Sequence, residues 1–467
     1  MSPYRFANED TICAISTPPG QGGIGVIRVS GQRSFEIGDR IFHAVHKKKL
    51  HKAPTHTLHY GKIVDPRTGE VLDEVLAAVM RSPKSYTCED VLELSCHGNT
   101  PSLMKILSLL VREGAREALP GEFTRRAFLN GRIDLVQAEA VMDFIAAESE
   151  IARELALKHL NGDFSQVILK IRERMVSLLS NLEGNIDFSQ EDIEFLSEPA
   201  AVQKVLNLLE EVDGLLNTAR DGRIVREGFL VALAGRPNVG KSTLLNTLLG
   251  NERAIVTAFP GTTRDTLEES LLVHGVKVRL VDTAGIRSTD DPIEKEGIKR
   301  AEETIRSADL VLWLVDATAG MTPEEDKNIE KYCRKNYLIL FNKIDLVNDS
   351  GLPRTGRFSN KQVLKISSFR KSGIRELEAG ISEACLQLTR WTGSEAGAVV
   401  IRRRHEQALR EAKASLLHSL DSLKGNMSPE FVALDLKGAI DHLGKIVGIT
   451  TPDDVLNQIF KDFCIGK

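Results

Sequence analysis

The stretch GRPNVGKST, residues 235–243, constrains the fold more than any other, because a strand-like run, FLVALA at 229–234, feeds it and a helix-like run, LLNTLL at 244–249, leaves it. In that setting it reads as a phosphate-binding P-loop joining a strand to a helix. Gly235 and Gly240 let the backbone bend so that successive N–H groups point at phosphate oxygens, and the helix N-terminus adds favourable potential for negative charge. Lys241 reaches the outer phosphates and Ser242 a magnesium ion. Asn238, Val239 and Thr243 belong to the same nucleotide-binding loop.

Three downstream segments say which nucleotide. Asp282-Thr283-Ala284-Gly285 follows an alternating strand at 277–281, where an aspartate holds the metal's water shell and a glycine N–H meets the terminal phosphate. Asn342-Lys343-Ile344-Asp345 follows an apolar strand at 337–341, and the Asp345 carboxylate can accept two N–H bonds from a guanine edge. Adenine lacks that amino group. Between them and the P-loop lies Gly261-Thr262-Thr263-Arg264-Asp265, where the Thr263 hydroxyl can complete the magnesium shell. Together and in this order the motifs read as a GTPase.

Two departures bear on mechanism. Ras-like switches place a water-orienting glutamine after the DTAG motif, whereas Ile286 stands here, so hydrolysis needs another polar group, a partner protein or a cation. The nearby acids Asp290, Asp291, Glu294 and Glu296 are candidates, although from sequence alone each reads more readily as solvated surface charge. Where a Ser-Ala-Lys type segment usually supports the guanine, Ser367-Ser368-Phe369 stands instead, so base specificity rests mainly on Asn342 and Asp345.

With 467 residues, 42% hydrophobic and 27% charged, the chain has room for about two to four domains. No apolar run approaches the ~20 residues that span a bilayer, and MSPYRFANED lacks the order of a signal peptide, so the expectation is a cytoplasmic protein without membrane contact. Six cysteines without a C-x-x-C pair predict free thiols rather than a zinc site. A net charge of -4 confines RNA contact to local basic patches, with 47–49 (KKK) and 402–404 (RRR) as candidates that also read as solvated faces.

Up to about Glu122 the pattern is α/β, with strands expected at 11–16, 25–30, 75–80 and 91–96. GQGGIG at 20–25 matches the dinucleotide G-x-G-x-x-G pattern, but VIRVS at 26–30 continues as a strand instead of opening a helix, so we read a glycine-rich connector. From Gly121 to Gly222, and again from His405, apolar residues recur at helical spacing. Further helices are expected from Pro429 to about Val447 and from Thr451 to Phe463. The architecture expected is an α/β domain (1–122), a helical domain in two parts (123–222 and 386–467) and a Ras-like P-loop G domain (223–385) inserted between them.

TPPGQGGIGVIRVSG at 17–31, the GTPase motifs with AIVTAFPGTTRD at 254–265, and the terminal Cys464-Ile465-Gly466-Lys467 together carry a resemblance: with them the chain resembles the MnmE (TrmE) family of tRNA-modifying GTPases. It implies that the N-terminal domain dimerises and binds tetrahydrofolate, with Arg28, Glu93, Arg132 and Lys467 as contacts. Arg132 stands where the family has lysine, exchanging a point charge for a planar fork. It also implies a tail tied down against the folate, presenting Cys464, whose thiolate could act as nucleophile or acid/base group. No step is assigned to it.

For the G domain the resemblance implies potassium, coordinated by Asn238 with Thr257, Phe259 and Thr262, standing where other GTPases use an arginine finger. Thr257 and Thr262 also border the nucleotide, and Glu294 matches the water-orienting glutamate. The implied protein is a potassium-stimulated homodimer that works with an FAD-dependent partner of the MnmG (GidA) family. It adds an aminomethyl or carboxymethylaminomethyl group to the 5-position of wobble uridine in certain tRNAs, with 5,10-methylenetetrahydrofolate as carbon source and 5-formyltetrahydrofolate as a stable analogue. The alternative is a ribosome-assembly or RNA-checkpoint GTPase without covalent RNA chemistry. A KH module there would need a GXXG loop, and the region after Ser367 offers amphipathic helices.

Overall fold

The computed structural model describes residues 10–46, 49–187, 197–251, 268–283, 292–332, 336–347, 363–388, 398–425, 427–461 and 463–466. Two compact units divide the chain, one made of Met1–Met142, His159–Phe195 and Pro429–Lys467, the other of Asp143–Lys158 and Leu196–Ser428. Among the described residues no helix is long and apolar enough to cross a membrane.

The first unit holds a seven-stranded sheet of β1 (Ile12–Ile15), β2 (Gly22–Ser30), β3 (Phe42–Ala44), β4 (Thr57–Val64), β5 (Val71–Met80), β6 (Val91–Gly98) and β7 (Arg116–Glu117), in the order β3-β4-β5-β6-β2-β1-β7. All neighbours are antiparallel except β1 and β7. Alternation along the strands sends Ile27, Val29, Val75, Ala77 and Val79 into a core shared with Ile37 and Ile41 of helix Ser34–Ile41 and Ile106 and Leu110 of helix Thr100–Arg112. Asn99 starts the latter by accepting from Ser102 N–H, with Pro101 in its first turn. The glycine run enters β2, so it continues as a strand as its sequence requires.

Cross-strand register sets one face of this sheet. Arg28 lies opposite Glu93, Glu93 opposite Ala78 and Ala78 opposite Leu58. The chain's last helices belong to the same unit. Pro429–Val447 packs along Asp163–Asp187, and Leu456 and Phe460 of helix Asp453–Lys461 join Phe463, Leu135 and Ala138 in a separate core. Arg125 Nη1 donates to Asn457 Oδ1 at 2.7 Å. Nearby, buried Arg126 meets Asp10, Glu89 and Glu122, and Arg116 shares Asp10 and Glu122.

The second unit carries a six-stranded sheet of β8 (Phe229–Gly235), β9 (Glu268–Val273), β10 (Val276–Asp282), β11 (Leu310–Asp316), β12 (Tyr337–Asn342) and β13 (Val363–Lys365), ordered β13-β12-β11-β8-β10-β9. Only β9 runs antiparallel to its neighbour. FLVALAG, LVLWLVD and YLILFN are nearly continuous apolar runs because a parallel sheet is covered on both faces. Phe229, Val231 and Leu233 face one core, Ala232 and Ala234 the other with Trp313. Helices Glu198–Asn217 and Arg403–Lys424 pack on each other. Arg402, read as a candidate for a basic patch or as part of a solvated face, pairs with Asp143, as does Arg226.

Candidate functional site

The P-loop leaves the carboxyl end of β8, where open parallel sheets bind ligands, and runs into helix Lys241–Asn251. Its carbonyls are held from behind. Lys241 Nζ donates to the carbonyls of Gly235 and Arg236 at 2.9 and 3.0 Å, Lys343 Nζ to that of Asn238 at 2.8 Å, and Asn342 Nδ2 to that of Val239 at 2.8 Å. A loop so held keeps its N–H groups for phosphate oxygens. Gly240 has φ +97°, and a Cβ there would lie 2.4 Å from Asn342 Nδ2, so the close approach of the two motifs requires glycine.

The segment Asn342-Lys343-Ile344-Asp345 is braced in turn. Asn342 Oδ1 accepts from Ser368 N–H and Oγ, both at 3.0 Å, and Thr247 Oγ1 donates to the Ser368 carbonyl at 2.9 Å. Ser367 Oγ donates to Asp345 Oδ1 at 2.6 Å. The two serines therefore hold both Asn342 and Asp345 despite the departure from the usual pattern. Lys343 also meets Asp316 Oδ2 at 2.6 Å. Burial pushes the Asp316 carboxyl up, but Lys343 and Thr318 outweigh it and hold it below the ordinary value. Sequence reasoning missed Asp316 and Thr247. The available signal was that Asp316 ends an apolar strand at the ligand-binding edge.

Ser242 Oγ donates to Asp282 Oδ2 at 3.2 Å, while the buried Asp282 Oδ1 has no hydrogen-bond partner among the described residues. Burial raises the Asp282 carboxyl above its ordinary value, opposed by Lys241 and Ser242, and burial lowers Lys241, opposed by Asp282. An orphaned carboxylate oxygen beside a hydroxyl fits a hard divalent cation such as magnesium. Thr283 Oγ1 donates to the Leu233 carbonyl at 2.6 Å and so ties β10 to β8. Thr257, Phe259, Thr262, Thr263, Ala284, Gly285 and the side chain of Glu294 lie outside the described residues.

A cavity of about 340 Å³ is lined by P-loop residues, Arg236 and Asn238 among them, together with Trp313, Asp316 and Glu325. Glu325 is the carboxylate of a capping box, accepting from Thr322 N–H at 2.9 Å while its own N–H donates to Thr322 Oγ1 at 3.3 Å. Its Oε1 lies 3.0 Å from Arg236 Nε, an ion pair without hydrogen-bond alignment.

A second cluster lies on the seven-stranded sheet. Arg28 Nε meets Glu93 Oε1 at 2.8 Å, and Arg28 Nη1 donates to the Gly466 carbonyl at 3.3 Å. Ser16 Oγ donates to that carbonyl at 3.2 Å, and Gly121 N–H to the Cys464 carbonyl at 3.3 Å. Arg28 lies 5.3 Å from the centre of the Tyr86 ring and 5.5 Å from that of Phe123. Arg132 reaches the same Tyr86 ring at 4.9 Å and donates to the Tyr86 carbonyl at 2.7 Å. Arg28, Glu93, Arg132 and the tail thus converge, while Lys467 lies outside the described residues. Ser16, Tyr86 and Phe123 carried no sequence signal. Cys464 is half-buried, whereas burial pushes the Cys13 and Cys96 thiols up to about 12. Among the described residues Cys13, Cys88, Cys96, Cys385 and Cys464 lie outside any disulfide.

Residues 11–132 match the N-terminus of the GTP-binding protein TrmE and residues 135–464 the MnmE helical domain. The chain is similar to the tRNA modification GTPase MnmE of Thermoanaerobacter pseudethanolicus, 43% identical over 461 residues that span 98% of this chain and 99% of that protein. It is 41% identical over 462 residues to MnmE of Alkaliphilus oremlandii, with 98% and 99% covered. MnmE of Syntrophotalea carbinolica is 43% identical over 461 residues, with 98% and 100% covered. A nucleotide site held by its own motifs, and matches that run almost end to end, place this GTP hydrolase in the MnmE family of tRNA modification GTPases.

Proposed function

We propose that this GTP hydrolase works in the cytoplasm with an FAD-dependent partner of the MnmG (GidA) family to install an aminomethyl or carboxymethylaminomethyl group at the 5-position of wobble uridine in certain tRNAs. A 5,10-methylenetetrahydrofolate-type cofactor would supply the one-carbon unit. The observation that carries this reading is the docking of the Cys464–Gly466 tail beside Arg28 and Glu93. The donor set fits a reduced folate: Glu93 can take paired N–H groups of a pterin edge, Arg28 and Arg132 can meet glutamate carboxylates, and Tyr86 offers an aromatic face.

The same reading takes Asn238, Thr257, Phe259 and Thr262 as potassium ligands, Ser242 and Thr263 as magnesium ligands, and Glu294 as the residue that orients water. It takes 1–122, 123–222 with 386–467, and 223–385 as the domains, with hydrolysis opening and closing a pair of G domains. Homodimerisation is supported by the sheet itself. Leu58, Tyr60 and Leu76 are exposed on the face that carries Arg28 and Glu93, an apolar patch of the kind that marks an interface.

Calorimetry with 5-formyltetrahydrofolate tests the proposal. Saturable binding is expected, weakened by Arg28→Ala and by truncation before Cys464. A folded, GTP-hydrolysing chain that binds none at millimolar ligand would remove the one-carbon chemistry and favour an RNA-checkpoint switch.

A further inference from the structure

Phe369 is 77% exposed, more than any other large apolar side chain among the described residues. Single exposed apolar side chains are common, but this one has a particular address. The two residues before it are pinned to the base-edge motif, Ser367 to Asp345 and Ser368 to Asn342. The turn that carries it is closed by reciprocal backbone bonds between Ser367 and Ser372 at 3.0 and 3.2 Å, and by Arg370 N–H donating to Ser367 Oγ at 3.0 Å. The backbone is thus fixed beside the carboxylate that receives a guanine edge, while the ring projects into solvent. The Arg370 guanidinium lies 5.7 Å from the ring centre, steadying one face by a cation–π contact.

We propose that Phe369 is a stacking platform for the base of the bound nucleotide, in the place where a Ser-Ala-Lys type segment has its lysine. It rests on the reading that Asp345 receives the base edge. An aromatic ring held next to the hydrogen-bonding edge of a planar ligand offers dispersion and π contact to the ligand's face, and this contact is indifferent to the groups on its edge. Stacking and edge recognition are therefore separable.

The test compares binding of GDP and inosine diphosphate, whose base lacks the amino group, to the full chain and to Phe369→Ala, Phe369→Trp and Asp345→Asn, by calorimetry with magnesium. Removing an exposed side chain leaves the fold intact. Phe369→Ala should weaken both ligands by about tenfold, leaving their ratio unchanged, and should raise KM for GTP without changing kcat. Phe369→Trp should keep the affinity, and its indole emission should be quenched by GDP. A loss confined to GDP would make Phe369 a support for Asp345 and overturn stacking. If Asp345→Asn loses affinity while Phe369→Ala stays within about twofold of the parent, stacking alone falls. Unchanged GDP affinity in both variants overturns the base-edge reading together with it.

Discussion

At the nucleotide site the holding contacts join segments that each emerge at the carboxyl end of a parallel strand, whereas at the tail site they join residues 438 and 450 positions apart in the chain. In the first case the sheet delivers the groups. β8, β10, β11 and β12 must pair to bury their apolar runs, and once paired they bring Lys241, Asp282, Asp316 and Asn342 to one edge. In the second case no ladder imposes the contact. Closing so long a loop costs only slightly more than closing a shorter one, and the core of Phe460, Phe463 and Leu135 offsets it. The last residues themselves hang on a few hydrogen bonds. Redundancy at one site and its lack at the other predict different responses to single substitutions.

The largest effect tests the independence of the two sites. Lys241→Ala should lower GTP hydrolysis by about 10²- to 10³-fold, as loss of a group placed on developing charge does, and should leave 5-formyltetrahydrofolate binding unchanged. Gly466→Ala is the converse. Gly466 has φ +93°, and a Cβ there would lie 2.5 Å from the Ile15 carbonyl, so the tail must leave its seat. Folate-analogue binding should fall by about tenfold in calorimetry with hydrolysis unaltered; an equal loss of both activities would break the comparison. Ser368→Ala should do less. It removes one of two bonds to Asn342 Oδ1 and leaves the backbone N–H in place, so GDP affinity should fall by about 0.5–1.5 kcal/mol.

That contrast also explains what the sequence made legible. The P-loop, the DTAG aspartate and the NKID segment were readable because each is a short motif fixed to a strand whose apolar run is visible beside it, and the structure brings Lys241, Ser242, Asp282 and Asn342 together. Ser367 and Ser368 read as a departure, yet a hydroxyl and a backbone N–H at those positions make the contacts that matter. The tail site was legible only through resemblance. Nothing in the spacing of Ser16, Arg28, Tyr86 or Gly466 says that they meet, because their meeting is decided by sheet register and by where the last helix packs. Arg402 is the opposite case, the first member of a run of like charge, which pairs with a largely buried aspartate.

The smallest effect sets two carboxylates against each other. Burial raises Asp10, but the guanidinium groups of Arg116 and Arg126 outweigh it and hold Asp10 below its ordinary value. Its stabilising contribution is therefore present above the ordinary aspartate range and disappears as pH falls through the depressed value. Asp282 is raised by burial, so its protonation favours the folded state, and the advantage is lost as pH rises through the raised value. In urea titrations of the full chain from about pH 7 down to 3, Asp10→Asn should lower stability at neutral pH and flatten the acid limb of the first unit. Solvent reaches the Asp10 carboxylate, which limits the change to about 1 kcal/mol or less. Asp282→Asn should do the reverse in the second unit, stabilising the nucleotide-free chain at neutral pH while it weakens magnesium-dependent GTP binding. If both variants shift the unfolding midpoint in the same direction, the carboxylate of the nucleotide site is not held at a cost to folding, and the contrast between a site kept ready for a cation and a site already satisfied by its own arginines fails.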